Sequence, residues 1–228
     1  MSGDVHKGHR KRIDAKSRLM GLEFLEEHEQ LEKLLFAVIP RGNTNDLAHE
    51  LLDEFGSLYG VLTADIEQLR SFEGVGARTA EFLHDLPPLL GIVERCVQES
   101  GERPVLDTPA KMGEYVQTLF YGKLVENLYM ISLNSSMRII RFDKMSDGTS
   151  NSSNISIHKI ARTAILNEAY AVILAHNHPG GRLQPSMSDL TLTREVDEAL
   201  KKLGIVLADH IIVASGGWHS IKTGETVK

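Results

Sequence analysis

The chain has 228 residues, 42% hydrophobic and 25% charged, with a net charge of −6, the balance of a soluble globular protein of one large or two small domains. Its single cysteine, Cys96, excludes an internal disulfide framework and fits a reducing compartment. There is no signal-peptide core and no apolar run near the roughly 18 residues of a membrane span, so a cytoplasmic protein without membrane contact is expected.

Residues 1–18 (MSGDVHKGHRKRIDAKSR) hold six Lys/Arg against two Asp, with His6 and His9. They read as a basic N-terminal arm, with Arg10, Lys11 and Arg12 placed to meet phosphate charge, or equally as a solubilising tail. Residues 19–100 read as a small all-helical domain. LEFLEEHEQLEKLLFAVIP sets Leu31, Leu34, Leu35 and Val38 at helical spacing until Pro40 ends the pattern. NTNDLAHELLDEFGSL lines up Leu47, Leu51, Leu52 and Phe55, with Gly56 just past the helix end. ADIEQLRSFEGVGARTAEFLHDL reads as helix, Gly-Val-Gly turn, helix. Gly74 and Gly76 lack a Cβ and let a phosphate approach the backbone N–H groups that open the second helix, and Arg78 adds charge. Such a turn is also common packing, and Glu73, Glu81 and Asp85 repel phosphate. Cys96, in VERCVQ, is expected to pack on a helix.

ESGERPVLDTP (99–109) reads as a linker, bounded at 101–108. From 109 to 228 helices and strands alternate. Thr108-Pro109 is a cap followed by proline at the first helical position, and Met112, Tyr115, Val116, Leu119 and Phe120 share one face. LYMISLN (128–134) and MRIIRFDKM (137–145) read as a hairpin turning at Asn134–Ser136. A helix near 159–168 leads to the strand AVILAH (171–176). A helix over 187–203 carries Leu192, Val196, Ala199 and Leu203 on one face and stops at Gly204. IVLADHIIVA (205–214) and a short strand near WHSI close the chain. The expected fold is a helical domain followed by an α/β or α+β domain around one sheet.

The chemistry concentrates in AHNHPGGRLQPSMSD (175–189). Residues i and i+2 of a strand share a side, so His176 and His178 aim at one point while Asn177 faces away. Pro179-Gly180-Gly181 turns the chain, Ser186 begins a helix, and Asp189 lies three residues inside it. Two imidazoles and one carboxylate, with water as the remaining ligand, form the catalytic type of zinc site. Taken alone, Ser186 and Asp189 are also what an N-cap and a first-turn carboxylate would be.

The joint spacing, H-x-H, seven residues, S-x-x-D, resembles the JAMM (MPN+) metalloprotease motif. That resemblance implies one zinc per chain held by His176, His178 and Asp189. It also implies an oxyanion hydrogen bond from Ser186 and a general base from an upstream strand, for which VENLYMISLN offers Glu126. HKGHRKR, FGSL, FEGVGARTA, ILAHNHPGG and LADHIIVA extend the likeness to the RadC family over nearly the whole chain. The resemblance implies a helix-hairpin-helix ahead of a cytidine-deaminase-like, JAMM-type mixed sheet, a DNA-repair context, and a protein or peptide substrate. Where that family usually has an arginine, this chain has His158. The activity so implied is amide or isopeptide hydrolysis by a zinc-activated water. A metal-dependent nuclease and a DNA-binding adaptor with structural zinc are the alternatives. His210 and His219, each in a strand, are expected to be hydrogen-bonded core residues.

Overall fold

The computed structural model describes residues 3–40, 42–99, 103–146, 157–214 and 216–228. They form two compact units, Met1–Leu89 and Leu90–Lys228. The division falls inside helix α6 (Ala77–Gln98), upstream of the linker expected at 101–108, of which residues 101 and 102 lie outside the described residues.

The first unit is helical: α1 (Gly3–Met20), a short 3-10 turn (Leu22–Phe24), α2 (Glu27–Val38), α3 (Thr44–Phe55), α4 (Leu58–Leu62), α5 (Ile66–Arg70) and the start of α6. The stripes on α2 and α3 supply its core, with Leu31, Leu35, Leu47 and Leu51 packed against Val61, Leu69, Val75 and Leu83. Asn43 caps α3 through the N–H groups of Asn45 and Asp46, and Gly56 takes the left-handed conformation that ends it, at φ 77°.

The basic arm is corrected by the structure. Residues 3–20 are a helix, with Ile13 buried. Three of its cations, Arg10, Arg12 and Lys16, are engaged within the fold. Arg10 donates to the carbonyls of Ile39 (2.8 Å) and Pro40 (3.2 Å) at the end of α2 and lies over the Phe36 ring. Arg12 donates to His9, His9 pairs with the buried Glu32 at 2.8 Å, and Lys16 pairs with Glu29. One apolar residue facing inward suffices to dock a helix whose polar groups find partners on α2, and charge composition alone does not reveal that docking.

α6 continues through Pro87 and Pro88 to Gln98, past the Leu86 end read from the sequence. Its last turns are held from the side: a Cβ on Gly91 would strike the Thr118 carbonyl, and Arg95 donates to that carbonyl at 2.5 Å. Cys96 lies on this helix but is exposed rather than packed, a second correction.

In the second unit a six-stranded sheet runs in the order β2-β1-β3-β4-β5-β6. Its strands are β1 (Leu128–Leu133), β2 (Ile139–Ser146), β3 (Ala171–Asn177), β4 (Val206–Ala214), β5 (Gly217–Ser220) and β6 (Thr226–Val227), the last not foreseen from sequence. β3 and β4 are parallel and the other neighbours antiparallel, so the sheet is mixed and the fold α+β. Helix α7 (Pro109–Gln117) covers one face, where Met112, Tyr115 and Val116 meet Ile131, Ile173, Ile211 and Trp218. Gly113 lets α7 lie flat on the sheet, since a Cβ there would fall inside the Trp218 ring. Helices α8 (Ile157–Leu166) and α9 (Met187–Lys202) cover the other face through Ile160, Ala164, Val196 and Leu200 against Leu128, Met130, Val172, Leu174 and Leu207. No helix among the described residues is long and apolar enough to cross a membrane.

Candidate metal centre

The α8/α9 face carries the site. Alternation along β3 sends Val172, Leu174 and His176 to this side, and His178 continues the line just past the strand end. His178 N–H still donates to the Val213 carbonyl at 2.9 Å, which keeps the backbone in ladder geometry up to that residue. Gly181, at φ 79°, then folds the chain back so that the Arg182 carbonyl lies 2.7 Å from His178 Nδ1. A carbonyl only accepts, so His178 carries its hydrogen on Nδ1 toward Arg182 and presents Nε2 to the site.

Asp189 reaches the same point from α9. It completes a capping box: Ser186 Oγ accepts from Asp189 N–H at 3.2 Å, and Asp189 Oδ2 accepts from Ser186 N–H at 2.7 Å. The capping and metal readings are therefore compatible. Oδ2 serves the cap while Oδ1 lies 3.2 Å from His176 Nε2. Oδ2 is also 3.5 Å from His178 Nε2, and the two Nε2 atoms are 2.8 Å apart.

These donors fit a zinc ion. Zn–N bonds of about 2.0–2.1 Å place tetrahedral ligands roughly 3.3 Å apart. The two Nε2 atoms lie 2.8 Å apart, one carboxylate oxygen of Asp189 lies 3.2 Å from His176 and the other 3.5 Å from His178, and one donor atom from each residue falls within 4.8 Å of the others, near enough to converge on one ion. The chemistry agrees: two imidazole nitrogens and a carboxylate, largely withdrawn from solvent, converge on one point, an arrangement that calls for a cation. Without a metal, a proton plays that part. The Asp189 hydrogen bond, outweighing burial, raises the His178 pKa, with smaller help from the Arg182 carbonyl and the Asp189 and Glu126 charges. Burial pushes the Asp189 carboxyl upward, but hydrogen bonds from His176, His178 and Ser186 more than reverse this and hold it far below the usual carboxylate range.

Glu126 is exposed, two residues before β1. β1 pairs antiparallel with β3, with Leu128 opposite His176, so the segment just before β1 runs beside His178, whose ring feels the Glu126 charge. The segment is held by Asn177, the residue between the two histidines. Its side-chain Oδ1 accepts from Asn127 N–H at 2.8 Å, and its Nδ2 donates to the carbonyls of Val125 (3.0 Å) and Lys123 (3.3 Å). Asn177 does face away from the side of His176 and His178, as strand alternation requires, yet it ties the Glu126 segment to β3. Sequence reasoning missed that tie, and the one signal for it was a polar residue flanked by two candidate ligands.

The RadC-like JAB domain family matches residues 106–226. A UPF0758 protein of Fusobacterium nucleatum subsp. nucleatum is 34% identical over 227 residues, spanning 96% of this chain and 97% of its own. A UPF0758 protein of Variovorax paradoxus is 31% identical over 204 residues, spanning 88% of this chain and 89% of its own. The chain belongs to the RadC family. The matched RadC-like JAB domain contains Glu126, His176, His178, Ser186 and Asp189.

Other expected residues fall elsewhere. Gly74, Gly76 and Arg78 belong to the helical unit: Gly74 sits at φ 90°, Val75 anchors the turn in the core, and Arg78 is exposed. Lys11 is exposed on α1. His158 is exposed on the first turn of α8, and His219 on β5 is hydrogen-bonded to Thr226 on β6 but partly exposed rather than in the core, a correction; neither belongs to the metal group. His210 is fully buried, as a core histidine would be, but it touches His176.

Proposed function

We propose that the chain is a zinc-dependent hydrolase of the JAMM type that cleaves amide or isopeptide bonds. The observation that carries this reading is the convergence of His176, His178 and Asp189, with the Glu126 charge acting on His178 from the segment just before β1. Zinc, when bound, acidifies a water toward neutral pH and polarises the substrate carbonyl. Glu126 takes the proton from the attacking water and returns it to the leaving amine, a task suited to an exposed carboxylate outside the ligand set. Ser186 Oγ now donates to Asp189 Oδ2 at 2.6 Å; its exposed hydroxyl is placed to turn that hydrogen toward a developing oxyanion.

Structural zinc usually has four protein ligands, and nuclease sites favour paired metals or hard oxygen donors. The group found among the described residues has three donors, two of them imidazoles, which supports the hydrolase. Zinc-loaded protein, tested against peptide, isopeptide and nucleic-acid substrates with chelator controls, is expected to hold about one zinc per chain. It should cleave amide or isopeptide bonds in a chelator-sensitive way. Phosphodiester cleavage, or a fourth protein ligand on the zinc, would overturn the reading.

We further propose that the helical unit contacts DNA, in a repair context, through the Gly74–Gly76 turn acting as a helix-hairpin-helix. The exposed Arg78 and Lys11 would supply charge, while Arg10 and Arg12, engaged within the fold, contribute less. Because α1 packs through Ile13, deleting it would disturb the fold, and charge substitution is the sounder test. Lys11→Ala with Arg78→Ala is expected to weaken duplex binding and lower its salt slope by roughly two, about one per phosphate contact. Absence of binding by the intact protein at low salt would remove this proposal.

A further inference from the structure

We infer that Thr193 and His210 fix the tautomer of His176 and thereby set the metal affinity of the site. The inference rests on the reading of His176 as a metal ligand. The three side chains form a buried chain of hydrogen bonds across the sheet–helix boundary. Thr193 Oγ1, on α9, lies 2.6 Å from the Asp189 carbonyl oxygen and 2.6 Å from His210 Nδ1. His210 Nε2 lies 2.9 Å from His176 Nδ1. His210 is 0%, His176 2% and Thr193 8% exposed, so water does not offer substitute partners.

The direction of every bond follows from the first. A backbone carbonyl can only accept, so the Thr193 hydroxyl gives it its one hydrogen and must accept from His210. His210 therefore carries its hydrogen on Nδ1, and as a neutral imidazole it has a lone pair on Nε2. That lone pair accepts from His176 Nδ1–H. His176 is left with a lone pair on Nε2, the atom facing His178 and Asp189. The opposite direction would put a hydrogen on His176 Nε2 and block it as a ligand.

An irregularity in β4 makes this contact available. β3 and β4 pair Val172 with Leu207 but Ile173 with Asp209, so Ala208 is an extra residue. The bulge reverses the alternation: Leu207 faces α9, whereas Ile211 and Val213 face α7, and His210 is turned to the metal side. Asp209 stabilises the bulge. Its Oδ1 accepts from the N–H groups of His210 (2.7 Å) and Lys222 (3.2 Å), and its Oδ2 accepts from Ser220 Oγ (2.6 Å).

The test compares Thr193→Val, which keeps the shape and removes the acceptor, with Thr193→Ser, which keeps the hydroxyl. Zinc affinity is read by chelator competition, and the His210 tautomer by imidazole nitrogen NMR of the metal-free protein. Wild type should show His210 with its hydrogen on Nδ1. Thr193→Val should move population to the Nε2–H form and weaken zinc binding about 10–100-fold, while Thr193→Ser stays near wild type in both. Unchanged tautomer and affinity in Thr193→Val would overturn the inference. So would an equal loss in Thr193→Ser, which would mean that Thr193 acts by packing. Should Thr193→Val not fold, wild type alone decides, because His210 with its hydrogen on Nε2 contradicts the relay. His176→Ala separates the two levels: full zinc affinity there defeats the ligand reading, whereas lost affinity there with none lost in Thr193→Val defeats only the relay.

Discussion

Glu126→Gln is expected to leave the fold and the bound zinc intact while amide or isopeptide hydrolysis falls by about two to four orders of magnitude, the usual scale of a general base. Glutamine keeps the size and polarity of glutamate but cannot accept the proton. The side chain is exposed, so no core packing is disturbed. It is not among the three groups whose donor atoms converge, so zinc content should hold. Ser186→Ala is expected to cost less in turnover, about a hundredfold if one oxyanion hydrogen bond is lost. It should also lower stability by about 1 kcal/mol, because Ser186 caps α9. Turnover, zinc content and melting temperature measured on both variants separate these effects. Full activity in Glu126→Gln would send the search for the base elsewhere. Loss of zinc from it would make Glu126 a fourth ligand and favour structural zinc.

The convergence of the candidate ligands was legible because both periodicities that place them are local. A strand's two-residue repeat puts His176 and His178 on one side, and a capping box puts Asp189 in the first turn of α9; neither needs knowledge of distant contacts. Glu126 depended on the pairing of β1 with β3: the family resemblance pointed only to an upstream strand, and the Leu128–His176 pairing brings the start of that strand to the site. His210 was out of reach for a different reason. Simple alternation from Leu207 would turn it toward α7, and the extra residue at Ala208 that reverses this leaves no mark in a run as regular as IVLADHIIVA. The N-terminal helix failed for a third reason. Lys16, Arg10 and Arg12 look like a free cationic arm until their partners are known, and Glu29, the Ile39 carbonyl and His9 lie 13, 29 and 3 residues away in sequence.

Asp189→Asn is expected to strip the site of zinc while largely keeping the start of α9, because the two tasks of Asp189 depend on different properties. An asparagine carbonyl can still accept from Ser186 N–H, so the cap survives in reduced form. What disappears is the negative charge shared with His176 and His178, and removing a direct ligand should weaken zinc by more than the roughly 10–100-fold of an outer-shell change. The metal-free protein offers an independent check through pH. The His178 pKa is raised in the folded state, first by its hydrogen bond to Asp189. A raised histidine pKa contributes stability that is fully present below the unfolded value, about 6.5, and is lost as pH rises through the folded value. Asp189 stays ionised throughout this range, since its own pKa is held far down. The stability gap between metal-free wild type and Asp189→Asn should therefore be widest at about pH 4–6.5 and narrow at higher pH. Denaturant melts across that range, run beside zinc titrations, measure both effects. A gap that does not change with pH would mean that Asp189 stabilises the metal-free fold only as a cap. Undiminished zinc affinity in Asp189→Asn would remove the carboxylate from the proposed ligand set and leave His176 and His178 without the anion on which the zinc proposal depends.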